Sequence, residues 1–254
     1  MKLIALCSFY DESPTWLAAH AAATARLVDH IIYLDGAYVL YDADGASSGV
    51  EAHDAIARAC HAAGVGFSIH VPATPWLGNE VEKRAFHFRL AEAMTTAEDW
   101  YVVIDVDHIL TSFDPVQVRA DLATGDYDAY DATLMERYDP DTMAGADLPS
   151  LSRCPHTCFF RAIRGLTVRG AHYVYAYPDP DARWGWRALW GPQTQLDVSP
   201  PGTLQVEFEH WSKFRATERR QAAKDYYDRR DQAGIERVSS NHIETLDGLA
   251  IELD

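Results

Sequence analysis

No apolar run in this chain approaches the roughly 20 residues that cross a bilayer; the longest, such as Leu3-Ile4-Ala5-Leu6-Cys7, stop far short. No secretory leader is expected either, because Asp11, Glu12 and Pro14 interrupt the apolar start before any cleavage site. Cysteine is scarce, and Cys7, Cys60, Cys154 and Cys158 show no framework spacing, which predicts reduced thiols. These absences lead us to expect a cytoplasmic protein without an integral membrane segment. Positive charge is also in short supply. The 22 Lys and Arg against 38 Asp and Glu leave −16, a field that repels a phosphate backbone, so nucleic acid is not an expected partner. What remains, 48% apolar and 24% charged over 254 residues, is the composition of an ordered globular chain of one or two domains.

The first half alternates short β-rich runs with longer segments of helical periodicity, the signature of a mostly parallel sheet flanked by helices. Strands are expected at residues 2–8, 29–35, 66–71 and 100–106. Ser13 and Pro14 open a helix between the first two. Residues 50–63 form the next helix, stopped by Gly64. Asn79 with Glu82 reads as a capping box starting a long helix to about Ala97. The second half reads as strands at 127–138, 151–161, 171–177 and 203–208. The breaker-rich residues 178–192 read as an irregular flap, and residues 214–233 as a charged helix anchored by Tyr226 and Tyr227. We therefore expect one α/β domain over 1–254, with parts at 1–110 and 111–212 and a C-terminal helical extension at 213–254.

The sharpest chemical feature is Val102-Val103-Ile104-Asp105-Val106-Asp107-His108, an apolar strand ending in two carboxylates. In an open α/β sheet ligands sit beyond the carboxyl ends of the strands. Hard cations bind there through one or two carboxylates plus substrate phosphates; two acids facing solvent at a strand end would look the same in sequence. The first strand runs into Ser8-Phe9-Tyr10-Asp11-Glu12 and the second into Leu34-Asp35-Gly36, so both ends line one crevice. An aromatic such as Tyr10 suits a base, and Asp35 an accepted base or ribose hydrogen. Lys83 and Arg84 lie near the electropositive start of the long helix, where phosphates are favoured.

The order of these motifs resembles the nucleotide-diphospho-sugar glycosyltransferases of the GT-A fold, of the Asp-x-Asp type related to the large inverting group. Its carriers are Leu6-Cys7-Ser8-Phe9-Tyr10-Asp11-Glu12, Leu34-Asp35-Gly36, Asn79-Glu80-Val81-Glu82-Lys83-Arg84, Asp105-Val106-Asp107 and Glu209-His210-Trp211-Ser212-Lys213. The resemblance implies a Rossmann-related GT-A-like domain with a mostly parallel central sheet, a smaller antiparallel part and a C-terminal helix, residues 1–110 being its nucleotide-sugar-binding half and 111–212 its acceptor-side half. It implies a hexosyltransferase-like activity moving a monosaccharide from a UDP- or GDP-sugar to a hydroxyl of a protein, glycan, lipid or small-molecule acceptor. Phe9, Tyr10 and Asp35 would then hold the nucleoside, Lys83 and Arg84 the diphosphate, and Asp105 ribose and metal. Asp107 and His210 would complete a Mn²⁺ or Mg²⁺ site, and Lys213 would reach the departing phosphate.

The chain departs from that pattern at Gly170-Ala171-His172-Tyr173, where inverting relatives read His-Glu and use the carboxylate as base. His172 is left to touch acceptor or sugar. Either Asp179, Asp181 or Glu136 takes the acceptor proton, or the reaction retains configuration without a dedicated base. The aromatic residues Tyr175, Tyr177, Trp184, Trp186 and Trp190 offer flat faces to a sugar, or simply pack. Rival readings are a sugar nucleotidyltransferase, which lacks its glycine-rich loop here, and a noncatalytic carbohydrate-binding module. A serine hydrolase built on Ser47 in Gly45-Ala46-Ser47-Ser48-Gly49 is a third. Cys154, His156 and Cys158 supply only three ligands for zinc, so packing is expected of them.

Overall fold

The computed structural model describes residues 1–41, 45–76, 80–137, 151–169, 174–182, 185–191, 200–211 and 217–232. The first half alternates β1 (Leu3–Ser8), α1 (Pro14–Thr24), β2 (His30–Leu34), α2 (Val50–Ala63), β3 (Gly66–His70), α3 (Glu80–Glu92) and β4 (Trp100–Asp105). After it come β5 (His108–Ser112), α4 (Pro115–Thr124), β6 (Ala129–Arg137), β7 (Leu151–Arg161), β8 (Thr167–Arg169), β9 (Val174–Pro178), β10 (Trp186–Trp190), β11 (Gly202–His210) and α5 (Thr217–Gln232).

Eight strands make one sheet in the order β3-β2-β1-β4-β7-β6-β11-β5, and β10-β9-β8 make a small antiparallel one. The run from β3 to β4 is parallel. β7 is antiparallel to both β4 and β6, β11 is parallel to β6, and β5 is antiparallel to β11. The expected α/β class, with its mostly parallel sheet, smaller antiparallel part and C-terminal helix, is present. Among the described residues no helix is long and apolar enough to cross a membrane.

Period-two alternation sorts the strands into two cores. Leu3, Ala5 and Cys7 of β1 face Leu17 of α1 and Ile56 of α2, while Ile4 and Leu6 face Phe88 of α3 and Val168 and Tyr175 of the small sheet. α2 ends where Gly64 takes the left-handed conformation at φ 69, and α4 starts where the Asp114 carboxylate accepts from the Val116 and Gln117 amides. α1 begins at Pro14, but the Ser13 side chain makes no capping hydrogen bond. The Asn79 cap lies outside the described residues. α3 stops at Glu92 rather than near Ala97, because Thr96 and Lys2 donate to the Asp99 carboxylate and turn the chain into β4. The segment read as an irregular flap instead contains β10, held by antiparallel pairing to β9.

One connection shapes the sheet. β4 and β5 are joined by residues 106 and 107 alone, yet β5 lies four strand positions from β4. Four spacings in a flat sheet would be about 19 Å, whereas three residue steps reach at most ~11 Å. The sheet must therefore curl until its β5 edge returns toward the end of β4.

A buried polar cluster lies behind β1. His20 of α1 is fully buried, with Nδ1 3.0 Å from the Tyr33 hydroxyl and Nε2 3.9 Å from Cys7 Sγ. Burial lowers its pKa to about 3, and burial also holds His87 well below the ordinary range. The unfolded imidazoles bind protons near pH 6.5 that the folded ones refuse, so stability falls as pH drops from about 6.5 toward 3. Thermal unfolding is expected at clearly lower temperature at pH 5 than at pH 7.5; equal midpoints would contradict these buried neutral histidines.

Candidate functional site

The carboxyl ends of β1 and β4 lie side by side, Ser8 in register with Asp105. A cavity of about 480 Å³ opens there, lined by groups from β1, β4, the turn that follows, α3, β11 and α5. That volume falls in the usual range for ligand sites. Lys83 is only 2% exposed, and its ammonium donates to the Phe9 carbonyl at 2.8 Å and the Gly36 carbonyl at 2.9 Å, stitching the ends of β1 and β2 together. Gly36 has φ 119, and a Cβ there would stand 2.4 Å from Pro72 Cγ, so no other residue fits. Arg84, one residue on, donates through Nη2 to both oxygens of Asp105 at 3.0 and 2.8 Å. Burial alone would raise Asp105; the Arg84 guanidinium overrules it and holds the carboxyl below its ordinary value.

A second cluster stands on the turn after β4. The Asp107 carboxylate lies 3.3 Å from His210 Nε2 and 4.0 Å from His108 Nε2. Together the three groups bring one ligand atom each within 4.8 Å of one another. Sheet register explains the meeting, since His210 of β11 sits opposite His108 of β5 on one side and Glu136 of β6 on the other. Glu136 reaches His210 Nδ1 at 3.3 Å, and the Trp211 amide donates to the Asp107 carbonyl at 2.7 Å. The hydrogen bond to Asp107 raises the His210 pKa, with Glu136 adding to it. Burial lowers that of His108 in spite of two nearby carboxylates, so this ring is neutral. Neither His108 nitrogen forms a hydrogen bond among the described residues; Nδ1 is fully enclosed.

Tyrosines gather in the same cavity. Tyr226 of α5 stacks on Tyr38 at 5.5 Å and 26°, Tyr41 lies 5.9 Å from Tyr226, and Tyr10 lies 5.5 Å from Tyr41. The sequence reading singled out Tyr10, whereas Tyr38 and Tyr41 carried no signal beyond being aromatic in a loop.

Of the residues expected to bind ligand, Phe9, Tyr10, Lys83, Arg84, Asp105, Asp107 and His210 all line this cavity. Asp35 does not. Its carboxylate is fully buried and accepts from the Gly36 amide (2.6 Å), the Ser48 amide (2.7 Å), the Ser48 hydroxyl (2.7 Å) and His53 Nε2 (2.8 Å). It fastens the 45–49 loop rather than facing a nucleoside. Ser48 in turn accepts from the Asp11 amide at 2.8 Å, and Asp11 has the left-handed φ of 48 that few non-glycine residues adopt. The hydrolase reading finds no Ser–His pair here, because His53 bonds to Asp35 and Ser47 makes no hydrogen bond to an imidazole among the described residues.

Asp105 and Asp107 meet different partners. As residues i and i+2 of a strand they would share a face, but β4 ends at Asp105 and the turn sends Asp107 toward β11 instead. Asp105, expected to contact ribose and metal, is paired with Arg84. His108, which the sequence reading left without a role, stands at the cluster in its place. Its signal was present, an imidazole directly after the second acid.

Asp179 and Asp181 do not line the cavity, and Asp179 is held by Arg187 at 2.5 Å. Tyr175 is in the second core, stacked on Phe160 at 4.2 Å with Trp190 beside it, and the Trp186 ring is covered by Arg169 at 3.6 Å. Packing accounts for them. Cys158 is buried, and the His156 ring packs on His108 at 5.1 Å. His172, Tyr173, Trp184, Ser212 and Lys213 lie outside the described residues.

No family profile and no curated protein matches the chain. Among solved structures, S. aureus TarS 1-349 is similar at 12% identity and TM-score 0.42, covering 64% of this chain and 47% of that one. Another S. aureus TarS structure is similar at 11% identity and TM-score 0.43, covering 64% of this chain and 28% of its own. The chain thus spans less than half the length of these structures.

Proposed function

We propose that this protein is a metal-dependent glycosyltransferase that moves a monosaccharide from a nucleoside-diphosphate sugar, a UDP- or GDP-sugar, to a hydroxyl acceptor. One observation carries the reading. A cavity at the carboxyl ends of parallel strands holds an Arg84–Asp105 pair beside an Asp107–His210 pair, so one wall recognises neutral or anionic donor groups and the other is fit for a cation.

The residues present suit a Mn²⁺ or Mg²⁺ ion, because Asp107 and His210 present an oxygen and a nitrogen to the cavity 3.3 Å apart. A bound divalent ion would supply Lewis-acid stabilisation of the leaving diphosphate as the glycosidic bond breaks. Asp107 would anchor that charge, and a hydrogen bond from His210 Nδ1–H to Glu136 would leave the Nε2 lone pair to the cavity. Arg84 keeps Asp105 ionised and oriented as an acceptor for ribose hydroxyls. The tyrosines supply flat walls for a base, and Lys83 fixes the backbone of both strand ends around it.

The test is a panel of UDP- and GDP-sugars incubated with Mn²⁺ or Mg²⁺, measuring nucleotide release and sugar transfer. Release that requires the ion supports the reading, and pyrophosphate release from a nucleoside triphosphate plus sugar phosphate would replace it with nucleotidyl transfer. Within that assay Glu136→Gln is expected to raise the metal concentration for half-maximal rate by about 10-fold, with little change in the rate at saturating metal. An unchanged metal requirement would remove Glu136 from the role of orienting His210.

A further inference from the structure

We infer that His108 is a direct ligand of the cation, and that the resulting set of two imidazoles and one carboxylate selects a transition-series ion such as Mn²⁺ over Mg²⁺. The inference deepens the proposed function, on which the presence of a cation at this site rests.

Three observations converge on the histidine. The first is placement. His108 and His210 face each other across the β5–β11 pair, their ring centroids 5.0 Å apart and their planes at 84°, with the Asp107 carboxylate reaching toward both. Directly opposed residues project from the same face of a sheet, so both imidazoles are delivered to one side. The ligand atoms lie within 4.8 Å of one another. Bonds of about 2.1 Å to a central ion hold donor atoms up to ~4.2 Å apart, so closing by about half an ångström completes the set.

The second observation is an unmet need. His108 is 7% exposed and forms no hydrogen bond from either nitrogen among the described residues. Burying Nδ1 without a partner is costly, and it leaves Nε2, 4.0 Å from the Asp107 carboxylate, as the nitrogen placed to coordinate. The third is exclusion of the alternative. Asp105, the other acid of the motif, has both oxygens on the Arg84 guanidinium, and taking it as a ligand would break that pair.

The chemistry of the donors then decides the ion. Mg²⁺ prefers oxygen ligands in near-ideal octahedra and sheds its water reluctantly, whereas imidazole suits the transition-series ions, and Mn²⁺ accepts both donor types.

The measurement is made on the metal-free full chain without any nucleotide. Mn²⁺ is titrated in, free Mn²⁺ is read from its electron paramagnetic resonance amplitude, and Mg²⁺ is then added as competitor. The wild type is expected to bind one Mn²⁺ that a 100-fold excess of Mg²⁺, roughly the scale of a second-shell or ligand effect, does not displace. His108→Ala is expected to weaken Mn²⁺ by about 10-fold or more, and Asp105→Asn by less than about threefold. His108→Gln, which keeps a polar group of similar reach, stands in should the alanine variant lose its circular dichroism spectrum. Equal Mn²⁺ affinity in wild type and the folded His108 variant overturns the inference, as does Mg²⁺ competing on equal terms or a wild type that binds no Mn²⁺. Mn²⁺ bound through His108 in a chain that turns over no sugar nucleotide upholds the inference and sinks the glycosyltransferase reading instead.

Discussion

Asp107→Ala is expected to reduce metal-dependent nucleotide release by at least about 100-fold, equivalent to ~2.7 kcal/mol of transition-state stabilisation, while the fold survives. The loss follows from position. Among the described residues, Asp107 is the carboxylate that groups with both His108 and His210, at 4.0 and 3.3 Å from their Nε2 atoms. Without it the site keeps two imidazoles and loses the anion that offsets a divalent charge. His210 retains Glu136 as a partner and the Trp211 amide still reaches the backbone carbonyl of residue 107, so the β11 end stays in place. The measurement pairs steady-state release with a melting curve. A variant that folds and keeps more than a tenth of the wild-type rate would remove Asp107 from the centre of the chemistry.

The largest effect on stability is expected at Asp35→Ala, a loss of about 3–5 kcal/mol. The carboxylate is fully buried and four donors converge on it from Gly36, Ser48 and His53. Removing it leaves two backbone amides, a hydroxyl and an imidazole nitrogen without their acceptor in the interior, and such groups cost about 1–3 kcal/mol each before relaxation. The damage spreads to the cavity, since Ser48 also holds the Asp11 amide and thereby the strained turn after Tyr10. Urea unfolding of wild type and variant checks the figure. A shift below about 1 kcal/mol would mean that the 45–49 loop does not depend on this anchor.

The parallel half of the sheet was legible because its elements announce themselves locally. Val50–Ala63 was bounded correctly by an amphipathic run and Gly64, whose left-handed conformation a glycine adopts without strain. Leu151–Arg161 was equally plain as a long run of strand-forming residues. The short strands Thr167–Arg169 and Trp186–Trp190 were not, because each exists through pairing with Val174–Pro178 rather than through its own pattern. In the site the same division holds. That Asp105, Asp107 and His210 converge on one cavity could be anticipated from motif order, but which acid meets which partner could not. Ending β4 at Asp105 breaks the strand alternation, and only the tertiary arrangement of α3 and β11 gives Arg84 to one carboxylate and His210 to the other. Likewise nothing near Asp35 in sequence signals that Ser48 and His53 will consume it.

The curl imposed by the two-residue link between β4 and β5 bears on when the candidate site forms. The β4–β5 turn that carries Asp107 and the strand that carries His210 are separated by most of the second half of the chain, and they meet only when the sheet rolls up and Gly202–His210 slots between its neighbours. Such long-range closure is slow and comes after local elements have formed. A nascent chain emerging from the ribosome would therefore carry Tyr10, Asp105 and Asp107 long before the candidate site was complete, because His210 and Tyr226 are made last.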